Sequence, residues 1–166
     1  NNNYLQKEII MDIIENLRIQ GVKESLIEDV LHFRKEFKVD DEVKHRITKS
    51  PAFYIGKDIL SMCIAAILEE ENILLSGPKA TGKNLLSDNL SEIFGRPQWN
   101  TSFHINTDSS SLIGTDTFID NEVKLRRGSV YECAIHGGFG VFDEINMAKN
   151  DAIVVVHSAL DYRRVI

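Results

Sequence analysis

Residues 77–84 read Gly77-Pro78-Lys79-Ala80-Thr81-Gly82-Lys83-Asn84. The pattern G-x-x-x-x-G-K is typical of a loop that binds phosphate. In such a loop Gly77 lets the chain turn sharply, Gly82 lets backbone amides approach phosphate oxygens, and Lys83 supplies a cation. A helix that follows directly adds the positive end of its dipole. These residues therefore predict a phosphate-binding loop.

The last position of this pattern is unusual. A serine or threonine normally follows the lysine and coordinates Mg²⁺, whereas this chain has Asn84. The amide oxygen could still ligate the ion, water and nucleotide alone could hold it, or metal affinity and hydrolysis could both be weak. The sequence leaves these three alternatives open.

The flanking segments alternate between strand and helix patterns. Short apolar runs predict strands at 72–76, 103–106 and 139–142, and a small hairpin flanks residues 120–122. Helical periodicity predicts helices at 59–69, 85–94, 129–136 and 148–160. This alternation predicts an α/β fold with a mostly parallel sheet.

Two carboxylates, Asp143 and Glu144, end the third predicted strand. An open α/β sheet places its ligand at the carboxyl ends of its strands. Beside a phosphate loop, Asp143 would hold Mg²⁺, and Glu144 would orient and deprotonate the water that attacks the γ-phosphate. The alternative is a strand that simply ends in a solvated acidic turn.

The first part of the chain predicts helices and no chemistry. Apolar residues recur at helical spacing in two stripes separated by Gly21, and a short third helix precedes Ser50-Pro51. The first stripe comprises Leu5, Ile9, Ile10, Ile13, Ile14 and Leu17. We interpret this part as a small helical segment that packs on the rest of the chain.

Composition limits the class of protein. The 166 residues are 43% hydrophobic and 27% charged, with a net charge of −6, which is typical of a globular domain. The sequence has no lysine or arginine stripe, no apolar stretch long enough to span a membrane and no signal peptide. Cys63 and Cys133 are far apart in apolar surroundings and predict buried thiols in a reducing cytoplasm. We therefore expect a cytoplasmic protein with no membrane or direct nucleic-acid partner.

From about Ala52 to Ile166 the chain resembles the AAA+ ATPases, and among them the MoxR-like and dynein-related branch. Residues 77–84 resemble Walker A, and Phe139–Glu144 resembles Walker B. Residues 143–148, Asp-Glu-Ile-Asn-Met-Ala, resemble the D-E-I-N-x-A run of MoxR-like proteins. Ser111–Gly114, Arg126–Tyr131 and the hairpin resemble further segments of that branch. The likeness covers about two-thirds of the chain.

The resemblance implies a fold and a set of site residues. The fold is an incomplete P-loop NTPase (AAA+) core with a parallel sheet, which gives a helical segment at 1–49 and the N-terminal part of the core at 50–166. The implied catalytic residues are Glu144 and Lys83, and the implied Mg²⁺ ligands are Asp143 and Asn84. The implied ATP contacts are Tyr54, Ile55, Gly56, Gly77, Pro78, Lys79, Ala80, Thr81, Gly82, Lys83, Asn84 and Leu85.

The resemblance also implies a function. The first hypothesis is an ATP-hydrolysing motor or chaperone that acts as a homo-oligomeric ring and remodels partner proteins, some with a von Willebrand factor A domain. The family's sensor asparagine, arginine finger and lid have no counterpart before Ile166, so we expect the 166 residues alone to be inactive. Alternatives are a binding module without turnover, a GTP-cleaving restriction-type motor and an enhancer-binding activator. The last lacks support, because residues 115–125 contain no G-A-F-T-G-A loop.

Overall fold

The computed structural model describes residues 12–119 and 122–161. The helices are α1 Ile13–Ile19, α2 Glu24–Glu36, α3 Lys57–Leu68, α4 Lys83–Phe94, α5 Ser109–Ile113, α6 Ser129–His136 and α7 Asn150–Leu160. The strands are β1 Gln98–Ser102, β2 Gly114–Ile119, β3 Glu122–Arg127 and β4 Phe139–Asp143. Single 3-10 turns lie at Lys44–Arg46 and Ile145–Met147. Leu5, Ile9 and Ile10 of the first stripe, and Asp120 and Asn121 of the hairpin turn, lie outside the described residues.

The helices on both sides of residue 50 share one hydrophobic core. Its buried members come from α1, the turn after it, α2, α3 and α4: Ile13, Ile14, Leu17, Val22, Ile27, Val30, Leu60, Cys63, Ile64, Leu86, Leu90, Ile93 and Phe94. The described residues of the first stripe, Ile13, Ile14 and Leu17, thus form the buried face of α1, and Ile27 and Val30 lie on that of α2. The side chains of Ile73 and Leu75, which precede the phosphate loop, and of Phe139 in β4 also pack against this core. The boundary at 49/50 stays a prediction.

Strands β1 and β4 form a parallel pair, as the α/β pattern predicts. Gln98 lies opposite Phe139 and Ser102 lies opposite Asp143, so both strands end at the same edge. The backbone N–H of Phe103 donates to Asp143 O at 2.9 Å and continues the ladder by one bond. Asp143 therefore occupies the carboxyl edge of the pair, where α/β sheets place their ligands.

A second, smaller core packs against Phe142 of β4. It consists of Phe103, Leu112, Val130, Ala152 and Val156 from α5, α6, α7 and the loop after β1. The antiparallel hairpin of β2 and β3 pairs Gly114 with Arg127 and Ile119 with Glu122, which confirms the predicted hairpin. Its cross-strand pair Phe118 and Val123 is exposed.

Two predicted strands differ from the structure. Residues 72–76 form no hydrogen-bonded strand within the described part of the chain, although burial alternates there: Ile73 and Leu75 are half-buried and Leu74 is 84% exposed. The side chains of Ile73 and Leu75 pack against the core, but a strand also needs a neighbour for its N–H and C=O groups. The prediction of a strand at 103–106 was wrong. That segment is a turn in which Thr107 N–H donates to His104 O at 2.9 Å, and the strand is Gln98–Ser102.

Among the described residues, no helix combines the length and the apolar character that crossing a lipid bilayer requires.

Phe94 joins the N-terminal helices to the sheet, so its truncation should destabilise the fold strongly. Its ring is fully buried and makes edge-to-face contacts with Phe33 at 5.3 Å and Phe139 at 5.9 Å between centroids. We expect Phe94→Ala to lower the free energy of unfolding by about 3–5 kcal/mol because it leaves a cavity. Phe118→Ala, at a site 71% exposed, is the control and should cost less than about 1 kcal/mol. Urea denaturation measures both; equal losses would contradict this packing.

Candidate nucleotide-binding site

The backbone of the loop at 77–82 has the conformation that its glycines suggest. Gly82 has φ +85° and caps the start of α4, and Ala80, with φ +61°, is also in the left-handed region. Left-handed backbone is rare for a residue with a Cβ and tends to occur at functional sites. The first turn of the 12-residue α4 has no acidic residue. The positive end of its dipole is thus not neutralised locally, and it can favour an anion at this loop.

Lys83 reaches back across the loop. Its ammonium donates to the carbonyl oxygens of Gly77 at 3.0 Å and Pro78 at 2.7 Å. The Thr81 hydroxyl also donates to Pro78 O, at 2.9 Å. An ammonium group has three donors, so Lys83 can bind one further acceptor without breaking either bond. The loop thus carries a positive charge that is held in place and still has a donor to offer.

A depression of about 400 Å³ opens on the helix side of the loop. It is lined by Ala80, Thr81, Gly82, Lys83, Asn84 and Leu85. The depression is large enough for phosphate groups, and six consecutive residues of the predicted set line it. Asn84 and Lys79 are both exposed on this part of the surface.

The segment predicted to contact a base, Tyr54-Ile55-Gly56, lies against this loop. A Cβ added at Gly82 would lie 3.4 Å from Cε2 of Tyr54, and one added at Gly56 would lie 2.9 Å from Cε1. The Tyr54 ring is therefore packed between the two glycines. Ile55 beside it is 76% exposed and available to a ligand. The structure thus brings the base-contact segment and the phosphate loop together.

Asp143 and Glu144 lie at the end of β4, both exposed. The Asp143 carboxylate accepts a hydrogen bond from the backbone N–H of Glu144 at 3.0 Å. Glu144 has φ +53° and ψ +38°, left-handed values that are costly for a residue with a side chain. This conformation starts the 3-10 turn and turns the chain sharply at the carboxyl edge of the sheet.

No hydrogen bond or ion pair links the phosphate loop with the acidic pair in the described part of the chain. Neither is there, among the described residues, a cluster of three or more His, Cys, Asp or Glu side chains that could hold a metal by itself. Mg²⁺ in nucleotide sites usually has one or two carboxylate ligands and takes the others from phosphate and water. Asp143, with lone pairs left beyond its one bond, fits that donor set, and Asn84 offers an amide oxygen.

Two residues near the site, Gln20 and Asn89, are not among those predicted from the sequence. The side chains of Gln20 and Asn89 both bind the backbone of residues 52–56. Asn89 could have been noticed, because it is a polar residue on the apolar stripe of α4 beside Leu86 and Ile93, and it is only 2% exposed. Gln20 follows an ordinary helix and has no such signal in the sequence.

A family model described as "AAA domain (dynein-related subfamily)" matches residues 72–166. That range contains the phosphate loop, the parallel strands, the hairpin and the acidic pair.

Curated bacterial proteins are also similar to the chain. "Uncharacterized protein YojN" of Bacillus subtilis is 31% identical over 137 residues, which is 80% of this chain and 45% of that protein. "Uncharacterized protein SSP1341" of Staphylococcus saprophyticus is 36% identical over 118 residues, which is 67% of this chain and 45% of that protein. The chain thus spans about half the length of the curated relatives it matches.

Proposed function

The chain belongs to the AAA domain family, in its dynein-related subfamily, and on that premise we propose that it is the nucleotide-binding part of an ATP-hydrolysing AAA+ motor. Domains of this family are P-loop nucleotide-binding ATPases and commonly assemble into oligomers. The observation that carries the proposal is the loop at 77–83. It combines left-handed Gly82, the helix start and a Lys83 ammonium whose position is fixed by two carbonyl groups.

Most of the predicted residues have a role in this proposal. Backbone groups of 77–82 and the Lys83 ammonium bind the phosphates, and Tyr54 and Ile55 contact the adenine. Asp143 ligates Mg²⁺, with Asn84 as a weaker candidate ligand. The ion, when bound, neutralises charge that develops on the phosphates. Glu144 orients a water molecule and accepts its proton.

The finer proposal concerns the partner. The run Asp143-Glu144-Ile145-Asn146-Met147-Ala148 supports a MoxR-like protein that remodels or matures other proteins. We propose that it acts as a homo-oligomeric ring in the cytoplasm and that proteins with a von Willebrand factor A domain are among its substrates. These statements rest on the sequence resemblance.

The proposal is tested by titrating the full-length protein with ATP and measuring phosphate release. We expect ATP to bind, Mg²⁺ to tighten the binding because Asp143 would hold the ion, and phosphate to be released continuously. Calorimetry with and without EDTA measures binding, and a coupled phosphate assay measures turnover. Absence of ATP binding in both conditions would overturn the proposed function.

One observation favours a second function, a nucleotide-responsive module that does not turn over. Asn84 replaces the hydroxyl that ordinarily ligates Mg²⁺, and an amide is a poorer ligand. The same two assays distinguish the candidates. Binding of ATP with Mg²⁺ and no phosphate release by the full-length protein would establish the module and exclude the motor.

A further inference from the structure

Two amide side chains hold the segment at 52–56, one from a residue that precedes it in the sequence and one from a residue that follows it. Asn89 Oδ1 accepts from the Tyr54 N–H at 2.9 Å, and its Nδ2 donates to Ala52 O at 3.0 Å. Gln20 Nε2 donates to Tyr54 O at 2.9 Å, and its Oε1 accepts from the Gly56 N–H at 3.0 Å. Each amide thus makes one donor and one acceptor bond to the backbone of this segment. Together they fix both polar backbone groups of Tyr54.

One ring of this segment packs against the phosphate loop, which is held separately by the hydrogen bonds of Thr81 and Lys83. Tyr54 lies between Gly56 and Gly82: its ring leaves no room for a Cβ at Gly56, and it would be in van der Waals contact with one at Gly82. A shift of the backbone at 54–56 must therefore move the Tyr54 ring against Gly82 or away from it. Gly82 is the residue at which α4 begins. The base-contact segment and the phosphate loop have a defined separation only while the segment is held.

Gln20 is itself held by α1. Its Nε2 also donates to Asn16 Oδ1 at 2.6 Å, and Asn16 and Leu17 of α1 are 8% and 1% exposed. The amide therefore has a fixed orientation before any ligand binds. A binding segment that is held in place in this way increases the affinity for its ligand, because the segment loses less conformational freedom when the ligand binds.

We propose that Gln20 is a positioning residue for base recognition. Through it, the N-terminal helices orient the segment that contacts the base. The inference rests on the proposed function, which assigns Tyr54 and Ile55 to the adenine. Gln20 lies outside the residues 72–166 that match the family model. It does not touch the phosphate loop. Its loss should therefore reduce recognition of the nucleoside and leave recognition of phosphate unchanged.

The test compares ADP with inorganic pyrophosphate as ligands of the full-length protein in Mg²⁺, which avoids turnover. Gln20→Met keeps the length of the side chain and removes both backbone bonds. Because the segment loses both bonds to Gln20 and keeps those to Asn89, we expect ADP affinity to fall about tenfold, which corresponds to about 1.4 kcal/mol. Pyrophosphate affinity should stay within about twofold of the wild-type value, because Gln20 does not touch the phosphate loop. A merely structural defect would instead weaken the binding of both ligands.

Arg18→Met is the matched control. Arg18 lies on α1, two residues before Gln20, and bonds to Glu15 and Glu24, so its loss should change neither affinity. Gln20→Glu serves if the methionine variant does not fold: the carboxylate keeps the acceptor for Gly56 but cannot donate to Tyr54. Its ratio of ADP to pyrophosphate affinity should fall below the wild-type ratio.

Three outcomes would overturn the inference. They are an unchanged ADP affinity in Gln20→Met, parallel losses of ADP and pyrophosphate affinity, and an unchanged ratio in Gln20→Glu. A wild-type protein that binds neither ligand would instead refute the proposed function and this inference with it. Wild-type binding with any of the first three results refutes the inference alone.

Discussion

Lys83→Ala is expected to weaken ATP binding about 10- to 100-fold, because a hydrogen bond to a charged group contributes roughly 1.5–3 kcal/mol. The ammonium already lies within hydrogen-bond distance of Gly77 O and Pro78 O. An incoming phosphate therefore meets a cation whose side-chain freedom is already restricted. Calorimetric titration of the full-length variant with ATP and Mg²⁺ measures the loss.

Two variants control for this result. Lys79→Ala removes the same charge from the same exposed loop, and we expect a smaller loss because the Lys79 side chain has no hydrogen bond among the described residues. Asn84→Ala should also cost less than Lys83→Ala, since it removes at most an imperfect metal ligand. Gly77 and Pro78 are exposed, so water can replace Lys83 at their carbonyls and the unfolding midpoint should change little. Wild-type ATP affinity in Lys83→Ala would refute the phosphate-loop assignment.

The phosphate loop could be predicted because its determinants are local. Gly77, Gly82 and Lys83 lie within seven consecutive positions, and the structure gives them the predicted turn and helix start. The same holds for β4, whose apolar residues precede Asp143 directly, and for the hairpin. In each case one short stretch of sequence contains the strand, turn or helix start together with the residues that end it, so no distant partner is needed to predict it.

The strand β1 could not be predicted, because its partner is distant. Its sequence Gln-Trp-Asn-Thr-Ser has no apolar run, and the strand forms because each residue from Gln98 to Ser102 pairs with one from Phe139 to Asp143. Gln98 is buried, and its amide donates to Asp88 and Asn100, both at 2.9 Å. Phe103 and Ile105 have high strand propensity, yet they lie where the chain turns away from the sheet.

Distance along the chain also concealed Gln20. Its two backbone partners, Tyr54 and Gly56, are 34 and 36 residues away. No pattern in the sequence relates a glutamine at the end of a helix to a loop in the following part of the chain. Packing of α1 against α4 brings them together, because both helices bury apolar faces in the same core. The residues proposed to contact the ligand belong to short local motifs and stay predictions, whereas a residue that orients them has no local motif.

Glu144→Gln is expected to leave ATP bound and to lower the rate of hydrolysis by about two to four orders of magnitude, the range typical of general acid–base catalysis. The amide has nearly the size of the carboxylate but cannot accept a proton from water. Phosphate release at saturating ATP measures turnover, and calorimetry measures ATP affinity. Asp143→Asn should differ in kind: it removes a charge beside the ion and should weaken Mg²⁺-dependent binding.

The backbone at Glu144 supplies the control that separates chemistry from folding. A residue with a Cβ at φ +53° costs roughly 1–2 kcal/mol relative to glycine, which adopts this region freely. Glu144→Gly should therefore raise the free energy of unfolding by about 1 kcal/mol, and it should lose turnover as Glu144→Gln does. A variant that is more stable yet inactive would show that the left-handed conformation is retained for the position of its carboxylate and not for the fold. If Glu144→Gln hydrolyses ATP at the wild-type rate, Glu144 is not the general base, and its strained backbone requires another explanation.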